Sequence, residues 1–319
     1  MLECKQNRAG VNHCAPAAVT PRQTDSQRPT TLNDADNNKN RVASRSHPGQ
    51  DGIRTFSYRG CASPDPSRPV PLVEETAVAV SYNGISQAVM MLSPVHLEDF
   101  AVGFSLSQGF IDTVDDILDL QISSAGDGLE LVITVTSRAQ WALRQHRRQL
   151  AGTTGCGLCG VDSLQQALPE LAPLPPQPLP PADRFLTLRD RMAGAQTLGQ
   201  TSGALHAALF VDAANNAVAC REDIGRHNAL DKLIGALARQ RRPLHGGLAV
   251  ITSRCSQELI QKAVRAGLGT LVSFSAPSTL AVDWARRHNL NLVHLSRQGE
   301  PRVYSPYALT DDTHTERRP

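Results

Sequence analysis

The 319-residue sequence predicts an α/β protein, with a mixed sheet covered by helices on both faces and a smaller α+β subdomain before it. Three observations predict this class. In the C-terminal half, short apolar runs at 248–252, 270–274 and 291–295 alternate with segments of helical period at 255–266 and 277–288. That is the signature of βαβαβ, whose strands pair in parallel through right-handed crossovers. Just upstream, the runs 204–211 and 217–221 flank Asn215-Asn216 and read as a hairpin, which makes the sheet mixed. In the N-terminal half, Thr76–Tyr82 and Ile85–Leu92 flank Asn83-Gly84, a pair suited to a type I′ hairpin turn because both positions take positive φ.

The elements follow in order. Residues 1–69 carry ten Lys/Arg and six Asp/Glu, with scattered apolar residues and no period. Such a segment is expected to be a disordered extension, because it has too little apolar surface to offset its ordering entropy. An N-terminal α+β subdomain is expected over 70–168. After its hairpin, Ser93-Pro94 reads as a helix start, with Ser as N-cap and Pro at the first helical position. Leu97, Phe100, Ala101, Phe104 and Leu106 supply the apolar stripe of that helix, and Gly109 its end. Two strands, 117–122 and 129–135, flank Gly126-Asp127-Gly128, and a basic helix follows at 138–150. Next come the loop AGTTGCGLCG at 151–160 and a short helix at 161–168. Residues 169–183, dense in proline, read as a semi-rigid extended linker. The C-terminal α/β subdomain then spans 184–309, with a helix at Arg226–Arg239, and 310–319 is a tail.

Composition narrows the function. Thirty-two basic residues against thirty acidic ones give +2, which lends no support to nucleic-acid binding through net charge. No apolar run approaches the ~20 residues that span a bilayer. The first twenty residues lack the apolar core of a secretory signal, so a cytoplasmic protein is expected. There the seven cysteines belong to chemistry or packing and not to a disulfide framework.

Cys156-Gly-Leu-Cys159 lies in a loop whose Gly155, Gly157 and Gly160 remove side-chain bulk around the sulfur. A zinc half-site, a dithiol redox pair and an accessible nucleophilic thiolate are the three readings of such a pair. No second pair at ligand spacing exists for zinc, and no bound metal is expected. A second cluster, CREDIGRHNALDK, runs from a strand end into a helix start. Arg226 and His227 fall in its first turn, where free N–H groups favour anions. Asp231 stands four residues after His227, the spacing for contact on one helical face. Asp223 adds a carboxylate. Arg254 follows the next strand, a Ser/Pro turn follows the one after, and Leu295, Ser296, Arg297, Gln298, Gly299 and Glu300 follow the last. Turns at the C-terminal ends of adjacent parallel strands share one edge, which suits a large anionic ligand. His206 reads as a core histidine, and Trp141 and Trp284 as packing residues.

Taken together, GTTGCGLCGVDSL, CREDIGRHNALDKLIG, TSRCSQELIQKAVRAG and VSYNGISQAVMMLSP resemble the FdhD family over about residues 70–307. The resemblance implies a sulfurtransferase with a cysteine persulfide intermediate. It implies a three-layer, cytidine-deaminase-like fold and a homodimer. Sulfur would come from a cysteine desulfurase and go to the molybdenum bis(molybdopterin guanine dinucleotide) cofactor, the bound client, for use by the formate dehydrogenase apoprotein. It also implies Cys156 as the persulfide carrier, with Cys159 beside it, and residues 295–300 as a cofactor-binding stretch. In this setting Asp223 or Asp231 would hold a guanine edge or orient His227, and Arg226, Arg254 and Arg297 would meet phosphates. One rival is a chaperone that binds the cofactor and has structural cysteines. Another is a zinc deaminase, which needs Pro-Cys-x-x-Cys with a His-x-Glu; Gly155 replaces that proline, and no His-x-Glu is expected anywhere in the chain.

Overall fold

The computed structural model describes residues 52–58, 68–149 and 169–306. The loop with Cys156 and Cys159, the expected helix at 161–168, the tail at 310–319 and residues 1–51 lie outside the described residues.

Strands β1 (Ile53–Tyr58) and β2 (Arg68–Val73) pair antiparallel in full register. This corrects the expected extension, since β1 falls inside 1–69. Arg54 fastens it by an ion pair with Glu74 at 2.7 Å, and the Glu74 amide donates to the Gly52 carbonyl. A second sheet has the order β4-β3-β6-β5, formed by β3 (Thr76–Tyr82), β4 (Ile85–Leu92), β5 (Ile117–Ala125) and β6 (Gly128–Val135). Its β3–β4 turn has φ of 47° at Asn83 and 77° at Gly84, the expected type I′ signs. The Asn83 carboxamide also clamps β6, accepting from the Val135 amide at 2.7 Å and donating to the Val135 carbonyl. Alternate residues Val78, Val80, Leu129, Leu131 and Ile133 bury one face against helix α1 (Leu97–Gln108).

Helix α1 starts later than its Ser-Pro cue. Its N-cap is His96 at φ 54°, and Ser93 is fully buried three residues earlier. Ser93 is instead bound to residues far along the chain, described below. Gly109 ends α1 in the left-handed region as expected, at φ 74°. Helix α2 (Ser137–Gln149) buries Ala139 and Leu143 but leaves Trp141 64% exposed, so Trp141 does not pack as read from sequence.

The third sheet is the main one, ordered β12-β11-β10-β9-β7-β8. It comprises β7 (His206–Val211), β8 (Ala217–Asp223), β9 (Leu248–Ile251), β10 (Thr270–Ser273), β11 (Asn291–His294) and β12 (Arg302–Ser305). β9, β10 and β11 pair in parallel; β7, β8 and β12 are antiparallel additions. Side chains alternate between the two faces. Ala208, Phe210, Ala249, Ile251, Leu271 and Leu292 face three helices that connect the strands. These are α6 (Arg226–Arg239), α7 (Gln257–Arg265) and α8 (Thr279–Arg287). Ala207, Leu209, Val250, Val272 and Val293 face the other way, against Phe185, Leu188 and Met192. Those three sit on the short helices α3 (Asp183–Leu186) and α4 (Leu188–Ala195), which α5 (Leu198–Ser202) follows. Neither these helices nor β12 is marked in the sequence by a clear period. The result is a mixed sheet between two helical layers.

The proline-dense stretch forms neither helix nor strand over 169–181, and it is fastened down. Leu174 is buried in the main core, its amide donates to the His288 carbonyl, and its own carbonyl accepts from Asn289. The two halves of the fold meet where α1 crosses α6. A Cβ on Gly103 would lie 1.7 Å from the Asp231 carbonyl oxygen, and one on Gly235 would lie 1.8 Å from that of Asp99. The helices therefore touch backbone to backbone, which only glycine permits at both positions. Asp99, nearly buried, takes Arg221 at 2.7 Å and Arg239 at 2.6 Å across the same junction.

Candidate functional site

Strand register settles where the loops meet. His206 opposes Asp223, Ala208 opposes Ile251, and Ser273 aligns with both Ile251 and His294. The start of β7 and the ends of β8, β9, β10 and β11 therefore share one edge, as the sequence predicts. The backbone stays knit past the strands: Phe274 donates to the Ile251 carbonyl at 3.0 Å and Leu295 to that of Ser273 at 2.9 Å. The Thr252 hydroxyl accepts from the Ala207 amide at 3.0 Å.

On the α6 face of this edge lie His206, Asp223, Arg226, His227 and Glu258. Asp223 has no free surface. It accepts from the amides of Ser93 at 3.1 Å and Gly225 at 2.8 Å and from the Asn228 carboxamide at 3.0 Å, and it pairs with Lys232 at 2.6 Å. Lys232 is equally buried and donates to the Ser93 carbonyl at 2.9 Å, while the Ser93 hydroxyl accepts from the Ile224 amide. Burial pushes the Lys232 ammonium below its ordinary range, and the Asp223 carboxylate opposes that shift. Asp231 is buried too: it accepts from Ser107 at 2.6 Å and pairs with Lys262 at 2.8 Å. Both carboxylates are thus occupied inside the protein, and neither presents an edge to a ligand. Nor does Asp231 reach His227; Nε2 of His227 lies 2.6 Å from Glu258 instead, and this imidazole holds the Glu258 carboxyl below the usual range. Sequence spacing found the helical face and missed the neighbouring helix that claims each group.

The accessible cations remain. Arg226 and His227 are half-buried at the first turn of α6, and Arg254 is exposed after β9. His206, read as a core residue, stands half-buried at the edge. Burial pushes its imidazole pKa down, and Arg226 adds to the effect. The N-cap position of α7 is Ser256.

On the opposite face, the Leu295 side chain is buried in the core, while Arg297, Gln298, Gly299 and Glu300 are exposed and Ser296 is half-exposed. Arg189 of α4 was not singled out by the sequence. It donates to the Leu295 carbonyl and lies over the Phe274 ring at 4.3 Å. Glu222, also missed, accepts from three successive amides, Thr197 at 2.9 Å, Leu198 at 2.9 Å and Gly199 at 2.7 Å, and so binds the α4–α5 connection to the sheet. A Cβ on Gly199 would fall 2.8 Å from that carboxylate, so the glycine is the readable trace of this contact.

Cys255 is buried at this edge and Cys220 lies within β8. Burial pushes each thiol up to about 12, which leaves both protonated at neutral pH. Two His-x-Glu tripeptides do occur in the chain, His96-Leu97-Glu98 and His314-Thr315-Glu316. In the first, Glu98 is tied to Arg239 at 2.6 Å, and among the described residues no group of three His, Cys, Asp or Glu could hold a metal ion. No helix of the described residues is long and apolar enough to cross a membrane.

A mixed α/β protein of this kind has solved counterparts. One, from Desulfotalea psychrophila and assigned as a formate dehydrogenase accessory protein, superposes with a TM-score of 0.57. It covers 79% of this chain and 95% of its own at 22% identity, and so shares the fold. The FdhD/NarQ family pattern matches residues 73–309, and the chain belongs to that family. The sulfur carrier protein FdhD of Bordetella bronchiseptica is 41% identical over 73% of this chain and 85% of its own. That of Cupriavidus necator is 41% identical over 74% and 82%.

Proposed function

We propose that this chain is a sulfur carrier that moves persulfide sulfur from a cysteine desulfurase to the molybdenum bis(molybdopterin guanine dinucleotide) cofactor and so activates formate dehydrogenase, working as a homodimer in the cytoplasm. The observation that carries the reading is the family match across 73–309, which includes the Cys156–Cys159 loop. The protonated state of Cys220 and Cys255 supports it by removing both as nucleophiles. In the first step the Cys156 thiolate attacks the outer sulfur of the donor's persulfide. The donor S–S bond breaks, the donor leaves as a thiolate, and Cys156 carries the sulfur as its own persulfide. No net oxidant is needed. In the second step the Cys156 S–S bond breaks and Cys156 leaves as a thiolate, while the outer sulfur would pass at the zero oxidation level to a reduced cofactor as substrate, whose metal would supply the two electrons that make it sulfide.

The test is mass spectrometry after incubation with a cysteine desulfurase and cysteine. An adduct of about 32 Da, one sulfur atom, is expected on the peptide that contains Cys156. An equal adduct in Cys156→Ala would defeat the assignment.

A further inference from the structure

Helix α2 carries a surface that the fold leaves uncovered. Ala139 and Leu143 seat the helix on the core of the N-terminal half. Ser137, Trp141 and Arg144 are exposed, and their spacings of four and three residues place them on one helical face. The chain has two tryptophans. Trp284 is 3% exposed in the main core, whereas Trp141 is 64% exposed. So large a side chain gains much from burial, and tryptophan is among the residues that dominate protein–protein contacts.

Charge defines what complements this face. The α2 sequence includes Arg138, Arg144, His146, Arg147 and Arg148 and no carboxylate. Arg138, at the start, is taken by Asp116 at 3.0 Å and Asp112 at 3.3 Å. The other arginines of the helix all lie from Arg144 onward. Cations in the last turn of a helix complement its dipole, an effect that fades within that turn. Arg147 and Arg148 fall in the last turn; Arg144 stands before it, and neither Arg144 nor Trp141 is needed for that purpose. An acidic protein surface with an apolar recess for the indole fits such a face.

Position selects the partner. Gln149 ends α2, and Cys156 follows seven residues later. Seven residues of chain reach at most about 25 Å, so a protein seated on α2 stands within that distance of the sulfur. The partner that must bring its own sulfur to Cys156 is the donor protein.

We propose that the exposed face of α2, centred on Trp141 and Arg144, docks the sulfur-donor protein through an acidic patch of the donor. The assignment rests on the reading that a donor protein loads Cys156 with persulfide. Mass spectrometry of the full chain follows the rate of loading by two donors: a cysteine desulfurase with cysteine, and glutathione persulfide, which is too small to need a dock. Trp141→Ala and Arg144→Glu alter exposed side chains, and thermal midpoints equal to that of wild type show the fold intact. With the desulfurase, each variant should need about tenfold more carrier for half-maximal rate, with little change in the maximal rate. Added salt should raise that requirement more in wild type than in Arg144→Glu. Glutathione persulfide should load all three proteins alike. If the desulfurase loads both variants as readily as wild type, α2 is not the dock and the persulfide reading stands. If the variants lose loading by glutathione persulfide to the same degree, the helix acts on the reactivity of Cys156 and the docking proposal fails. If neither donor loads wild type, the persulfide reading fails, and the dock with it.

Discussion

Lys232 and Asp223 pair at 2.6 Å with neither side chain reaching solvent, and the same lysine grips the Ser93 carbonyl from the other half of the fold. The pair holds the end of β8, the first turn of α6 and the approach to α1 in one arrangement. Lys232→Met should leave the Asp223 charge buried with only neutral donors. A loss of roughly 3–5 kcal/mol is expected from breaking one partner of such a pair. Urea unfolding checks this; a loss below about 1 kcal/mol would mean that the junction does not depend on the charge.

Gly103→Ala tests the helix crossing. Alanine is better than glycine in a helix by about 1 kcal/mol. Here the new Cβ would meet backbone at 1.7 Å, and no side chain can move aside to relieve it. The clash should win, with a net loss of at least about 3 kcal/mol. Gly84→Ala is the contrast: nothing lies within 4 Å, and only the φ of 77° opposes it, for about 1–2 kcal/mol.

Truncation separates the two readings of the N-terminus. Removing residues 1–65 deletes β1 and the Arg54–Glu74 pair, whereas removing 1–50 keeps both. The shorter protein should melt at a lower temperature than the longer one. Equal melting temperatures would show that β1 adds nothing to stability.

Acid should destabilise the fold before its carboxylates titrate. Burial pushes His206 and His294 below their ordinary 6.5, helped by Arg226 for the first and by Arg302 and Arg189 for the second. The unfolded chain then binds more protons than the folded one, so stability falls as pH drops through 6.5. Glu258 acts lower. Its depressed pKa gives stability above the unfolded value of 4.5, lost only as pH falls through the folded value. Between about pH 7 and pH 5, therefore, the histidines govern the slope. Urea midpoints should fall across that interval, and less so in the doubly substituted His206→Asn, His294→Asn protein. The same fall in both proteins would rule the mechanism out.

The elements that local rules decide were legible in the sequence. Asn83-Gly84 sets its turn, Gly109 stops its helix, and the apolar runs that become β9, β10 and β11 pair in parallel. The shared edge followed from topology alone. What the sequence hid was decided by partners far along the chain. Ser93 looks like an N-cap, yet its groups are taken by Ile224 and Lys232. Asp231 has the right spacing for His227, yet Lys262 reaches it from another helix. β1 is six residues long and vanished in the average composition of the segment around it.

Glu222 and Asp223 are consecutive, and a strand turns consecutive side chains to opposite faces. Glu222 therefore anchors the α4–α5 loop on one side of the sheet while Asp223 anchors α6 and Ser93 on the other. A slip of β8 by one residue would turn both carboxylates to the wrong faces at once. Two independent networks would be broken by a single error of pairing. The dipeptide thus works as a proofreading mark for the edge strand, and it fixes the alignment on which the shape of the whole site depends.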